Sequence, residues 1–155
     1  MEKQPNTGTC FVCGMKNDIG LKMSWYNDDA REEVIGNIIV SEKYNGYPGI
    51  VHGGIVAALL DETSGRSLML NGNFENHSVL AKMELKYHKP TPCNEPLTLV
   101  GWIIKDSGKR AKVAAEIRLH DGTVTASCVS NVIKMPEHFA KAWESDKQNW
   151  HVYED

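Results

Sequence analysis

The sequence predicts an α+β fold in which an antiparallel sheet wraps around one long central helix. Three observations carry that expectation. One stretch, Gly53 to about Leu70, is rich in Ala, Leu and Met, has helical spacing and contains no proline. Two β-rich runs precede it. Four strand-like runs follow it, with Asp106-Ser107-Gly108 and Asp121-Gly122 reading as hairpin turns.

In chain order, Met1 to Gly8 reads as a mobile tail and Cys10 to Gly20 as a turn-rich segment punctuated by Gly14, Asn17-Asp18 and Gly20. Leu21 to Tyr26 alternates apolar and polar residues and reads as a strand, with Asn27-Asp28-Asp29 as its turn. Glu33 to Val40 is the second strand, and Asn45 to Gly49 is a loop. Asn71-Gly72-Asn73 stops the long helix. The later strands are Val79 to His88, Leu97 to Lys105, Lys112 to His120 and Thr123 to Lys134. Pro136 to Gln148 reads as a short helix. The expected division is a flexible tail over 1–9, one folded unit over 10–135, and a carboxy-terminal helix and tail over 136–155.

The 155 residues suffice for one domain with a real core. An apolar share of 41%, a charged share of 24% and a net charge of −3 fit a water-soluble chain. They argue against general nucleic-acid binding, which needs a basic excess. The amino terminus lacks the apolar stretch of a secretory signal, and no run of about 18 apolar residues could span a membrane. The expected location is the cytoplasm.

Cys10 and Cys13 form a C-x2-C pair, which raises a zinc reading. A structural zinc needs about four ligands. Cys93 and Cys128 lie far away in sequence and no paired histidines complete a set. The favoured reading is reduced thiols packing a turn before Gly14, with no metal or other cofactor.

The stretch from Gly49 to Glu62 carries the chemistry. Gly53-Gly54 opens the helix, where backbone N–H groups are unpaired and can hold an oxyanion. Asp61 is a carboxylate on a mostly apolar helix, so it is either paired or functional. Its bland alternative is a hydrogen bond to a neighbouring strand. The adjacent Glu62 points about 100° away and precedes Arg66 by four residues, the spacing of a surface ion pair. His52 either polarises a carbonyl or orients the turn through a backbone hydrogen bond. Together these features suggest hydrolysis at a carbonyl.

The element order, with His52-Gly53-Gly54 at the helix start and Asp61 nine residues after His52, resembles the hot-dog fold, and within it the PaaI-like acyl-CoA thioesterases. Cys10-Phe11-Val12-Cys13-Gly14, Gly20-Leu21-Lys22-Met23 and Tyr87-His88-Lys89-Pro90 match as well. The resemblance covers roughly residues 10 to 135. It implies an acyl-CoA substrate, a Gly53 N–H donated to the thioester oxygen, and Asp61 as general base or nucleophile. It also implies a dimer or dimer of dimers with sites between subunits. Many relatives carry a threonine that places the attacking water, where this chain has Leu80, with Ser78 two residues away.

Residue geometry points the same way on assembly. Gly53 and Asp61 lie eight residues apart, about 12 Å of helical rise. One carbonyl needs its donor within about 3 Å and its nucleophile within about 3.5 Å. One helix cannot supply both, whereas two antiparallel helices about a twofold axis can. Ala57, Ala58, Ser64 and Gly65 flank Asp61 and are small enough to let helices approach.

Candidate substrate contacts are Gly54, Asn45, Ser78 and Leu80. Lys109 and Arg110, in a basic cluster with Lys105 and Lys112, are candidates for phosphate contact. Trp143, Trp150 and Tyr153 either cover an acyl pocket or pack a helix. Two rival readings are a non-catalytic acyl-CoA sensor and a hot-dog dehydratase or hydratase.

Overall fold

The computed structural model describes residues 1–154. Among them, seven strands form one antiparallel sheet: β1 (Glu2–Lys3), β2 (Tyr26–Asp28), β3 (Glu33–Ile39), β4 (Ser78–Tyr87), β5 (Pro96–Asp106), β6 (Arg110–Arg118) and β7 (Val124–Lys134). The order across the sheet is β1-β2-β3-β5-β6-β7-β4. The long helix α1 (Gly53–Arg66) packs on β3 through β7, and a short helix α2 (Glu137–Glu144) follows the sheet. This is the hot-dog arrangement.

Val56, Leu59 and Leu60 of α1 are buried against Leu97, Leu99, Ala115, Ile117 and Cys128 of the sheet. Each such apolar side chain contributes roughly 1.5–3 kcal/mol through burial. Helix and sheet meet closely at Gly101. A Cβ there would stand 2.6 Å from the Thr63 carbonyl oxygen and 3.0 Å from Val34 Cγ1, so only glycine fits. Trp25 Nε1 donates to Thr63 Oγ1 at 3.1 Å on the same helix turn.

Several local expectations need correction. Residues 2–6 are not a loose tail: Glu2 and Lys3 pair with Asn27 and Tyr26, and Gln4 and Asn6 are fully buried. Gln4 Nε2 donates to Asn27 Oδ1 (2.7 Å) and to the Arg66 carbonyl (3.0 Å). Asn6 Nδ2 donates to the Cys13 and Met23 carbonyls at 2.9 and 2.7 Å. Polar side chains are inside because they satisfy backbone acceptors that would otherwise be orphaned.

The strand expected over Leu21 to Tyr26 reduces to Tyr26. Lys22 is left-handed (φ 53°), and Leu21 and Met23 donate instead to the Phe11 and Val12 carbonyls. Asn27 lies in a strand, and the turn falls later, where the Arg31 N–H donates to the Asp28 carbonyl.

The helix stops at Arg66 and tightens into a 3₁₀ segment, Ser67–Gly72, ended by left-handed Asn71 and Gly72. The remaining strands shift by up to two residues at their ends. The carboxy-terminal helix is shorter than expected and is followed by a 3₁₀ turn, Lys147–Asn149.

β4 is the outer strand. β7 pairs one side of it, and no described strand pairs the other. A bulge between Leu80 and Lys82 leaves Ala81 without a partner.

Candidate active site

His52 is the N-cap of α1, and its Nδ1 accepts from the Gly54 N–H at 2.9 Å. One ring nitrogen is thus committed to orienting the turn. No described group accepts from the Gly53 N–H, which lies exposed at the helix start. The Tyr87 hydroxyl donates to the Gly53 carbonyl at 2.8 Å and ties the end of β4 to this turn. Gly53, His52, Tyr47, Ile50 and Tyr87 line a cleft of about 510 Å³.

The preceding loop is pinned by Glu42, whose Oε1 accepts from the Gly49 N–H (2.7 Å) and from Asn45 Nδ2 (3.0 Å). The Gly49 amide, followed by Asn45, holds the Glu42 carboxyl below the usual carboxylate range. Asn45 therefore supports the loop and does not line the cleft.

Asp61 lines a different cleft of about 340 Å³, together with Cys10, Glu62, His77, Ser78 and Leu80. Its carboxylate is half-buried, and no described group donates a hydrogen bond to it, so a bond to a neighbouring strand does not account for it. Burial, followed by the charge of Glu62, pushes its pKa upward.

Glu62 opens onto the same cleft, which reaches around the helix far enough to meet both acids. Its partner Arg66 is a buried residue, not a surface one. The guanidinium pairs with Glu62 Oε1 at 3.0 Å, donates from Nη1 to the Pro5 carbonyl, and lies 4.7 Å from the Trp25 ring and 5.2 Å from that of Trp150.

Ser78 and Leu80 both line the Asp61 cleft, and Leu80 is 40% exposed. Trp143 and Trp150 close one side of it, against the His77 ring at 4.5 and 5.2 Å. Lys109 and Arg110 lie at the β5–β6 hairpin, away from both clefts. Arg110 lines a third cleft of about 610 Å³ with Lys82, Lys105 and Lys112.

Cys10, Cys13 and His77 also line the Asp61 cleft, where the sequence did not place them. Cys10 and Cys13 had a signal, their C-x2-C spacing. His77 had none, because its position depends on the chain beyond β7 folding back.

Within one chain the Gly53 amide and the Asp61 carboxylate thus open into separate clefts. Residues 48–126 match the family model of the thioesterase superfamily. The chain belongs to the thioesterase superfamily.

Among solved structures, thioesterase superfamily protein RHA08564 is 31% identical, with a TM-score of 0.72 over 81% of this chain and 60% of that one. Among curated relatives, the uncharacterized mitochondrial membrane protein FMP10 of Saccharomyces cerevisiae is 26% identical over 64% of this chain and 41% of its own length. The acyl-coenzyme A thioesterase THEM4 of Rattus norvegicus is 22% identical over 77% of this chain and 50% of its own. The chain spans half or less of the length of these curated relatives. No helix among the described residues is long and apolar enough to cross a membrane.

Proposed function

We propose that this protein hydrolyses an acyl-CoA thioester at a site shared by two subunits, as a PaaI-like member of the superfamily. The observation that carries this reading is the separation just described: an unpaired amide donor and an unpaired carboxylate, both on α1, face different clefts of one chain. A second copy related by a twofold axis brings Asp61 of one subunit opposite Gly53 of the other. The open edge of β4 supports such pairing, since an unpaired edge offers a row of free backbone groups. The relative named as an acyl-coenzyme A thioesterase supports the substrate class.

In this mechanism the Gly53 N–H donates to the thioester carbonyl oxygen. Asp61 takes a proton from water, and the hydroxide formed attacks the carbonyl carbon. The tetrahedral oxyanion is held by the Gly53 amide. It then collapses to the free acid, and Asp61 returns its proton to the departing CoA sulfur. Ionised Asp61 is required, and burial of the carboxylate raises its basicity toward that task. His52 holds the Gly53-Gly54 turn in place.

Thiol release from a panel of acyl-CoA esters tests the reaction. Many turnovers per chain support it, whereas stoichiometric binding without release selects the sensor reading. Release of water from a hydroxyacyl-CoA with no free thiol selects the dehydratase.

The shared site is tested by mixing Asp61→Asn subunits with Gly53→Pro subunits, proline being tolerated in a first helical turn. One composite site in each mixed dimer then has both groups intact, and activity returns. An inactive mixture of two folded, exchanging variants rejects the shared site. For location we propose the cytoplasm on composition. The name of the yeast relative favours mitochondria, and fractionation of cells expressing the protein decides between them.

A further inference from the structure

The Asp61 cleft is bordered by two thiols that the hydrolytic mechanism does not use. They lie on a tight turn, Cys10 to Gly14, closed by the Gly14 N–H donating to the Cys10 carbonyl at 2.8 Å. A Cβ on Gly14 would stand 2.3 Å from that carbonyl oxygen, so the turn depends on glycine. The Val12 and Cys13 amides point at Cys10 Sγ, at 3.3 and 3.5 Å. Thr7 Oγ1 lies 3.5 Å from Cys13 Sγ. Across the cleft, Glu62 Oε2 lies 3.9 Å from Cys10 Sγ, while Oε1 of the same carboxylate is occupied by Arg66.

The ligand atoms of Cys10, Cys13 and Glu62 all fall within 4.8 Å of one another. Ligands about 2.0–2.3 Å from a tetrahedral zinc are separated by roughly 3.5–3.8 Å, so a contraction of about 1 Å closes the set.

We propose that Cys10, Cys13 and Glu62 bind a zinc ion, with the fourth coordination position open to the cleft that Asp61 lines. The reading is independent of the hydrolytic one. The C-x2-C spacing alone gave two ligands, and it is the packing of this turn on α1 that supplies the third.

Thiolate and carboxylate donors together suit zinc, a borderline-soft ion. The two amides directed at Cys10 Sγ stabilise its thiolate form and fix its direction, as outer-shell donors do in metal sites. Charge balances as well. Entry of Zn²⁺ displaces two thiol protons, two positive charges replacing two, and leaves the Glu62–Arg66 pair neutral. The ion would join the amino-terminal turn to α1.

The test is titration of the reduced, metal-free protein with cobalt(II), followed by zinc. The expected result is one equivalent per chain, with thiolate-to-cobalt charge-transfer absorption and visible bands of a tetrahedral ion, bleached by zinc. Cys10→Ser and Glu62→Gln each weaken binding by at least ~10-fold, and Glu62→Asp recovers part of the loss. Circular dichroism verifies that each variant is folded. Absence of charge-transfer absorption at excess cobalt overturns the site. So does binding that is unchanged in Cys10→Ser. Loss in Cys10→Ser with no effect of Glu62→Gln overturns the three-ligand set. Zinc also raises the melting temperature of the wild type and not of Cys10→Ser.

Discussion

Glu62 holds Arg66 at 3.0 Å at the point where the last turn of α1 has left solvent. The arginine side chain is 3% exposed and its acid partner 27%. The pair thus has one end inside the protein and one in the cleft, and the two ends differ in what they are worth.

Removing the acid strands the buried cation. Glu62→Gln is expected to lower stability by about 3 kcal/mol, the low end of the cost when a buried charge loses its partner. Urea unfolding in metal-free buffer measures it. The opposite deletion, Arg66→Met, leaves a carboxylate that solvent in the cleft can still reach, and it should cost less than an unpaired buried arginine.

Asp61→Asn should behave in the reverse manner. With its general base gone, kcat falls by ~10²-fold or more. The folded state disfavours the ionised Asp61. Its contribution to stability is therefore greatest below the unfolded pKa and lost as pH rises through the folded one. At neutral pH the neutral amide removes that cost, so the melting temperature holds or rises. A large fall in melting temperature with intact kcat would assign Asp61 to structure.

Leu80 shares the cleft of Asp61. If a hydroxyl there orders the attacking water, Leu80→Thr raises kcat on short acyl-CoA esters by ~10-fold, about 1.4 kcal/mol of barrier. Unchanged kcat on short esters with a gain on bulky ones would instead make Leu80 a wall of the acyl pocket. Kinetics on one short and one long ester separate the two.

His77 provides a pH dependence of stability. Its ring packs on Trp143 and Trp150, and its Nε2 is buried without a hydrogen bond, 3.7 Å from Glu75. Burial lowers its pKa from the ordinary 6.5. The folded chain then binds fewer protons than the unfolded one between the two values. The stability contributed by neutral His77 is full above pH 6.5 and is lost as pH falls through the folded pKa. Tryptophan fluorescence during unfolding at pH 8 and pH 5 should reveal this loss, and His77→Phe should flatten it.

The sequence made the long helix, its glycine start and five of the strands legible because each follows a local rule. Gly53-Gly54 bares amides, Asn71-Gly72 ends a helix, and Val79 to Tyr87 alternates. What stayed hidden depends on distant partners. Gln4 and Asn6 look like solvent residues until Asn27, Cys13 and Met23 supply their acceptors. Leu21 to Tyr26 has a strand pattern, but a left-handed Lys22 and the Cys10 turn divert it. Arg66 looked superficial because its spacing to Glu62 is the same whether or not Trp25 and Trp150 cover it. Asp61 and Gly53 were recognisable as groups, but their opening into separate clefts needed the sheet in place.

The missing side chain at Gly101 sets the working clearances of the molecule. The Thr63 carbonyl rides directly on it, two residues past Asp61, so the gap between helix and sheet is gauged by a residue that touches no substrate. Any atom added there acts as a shim. It would lift the second half of α1, carry the carboxylate outward, and detune the catalytic geometry from the opposite layer of the fold.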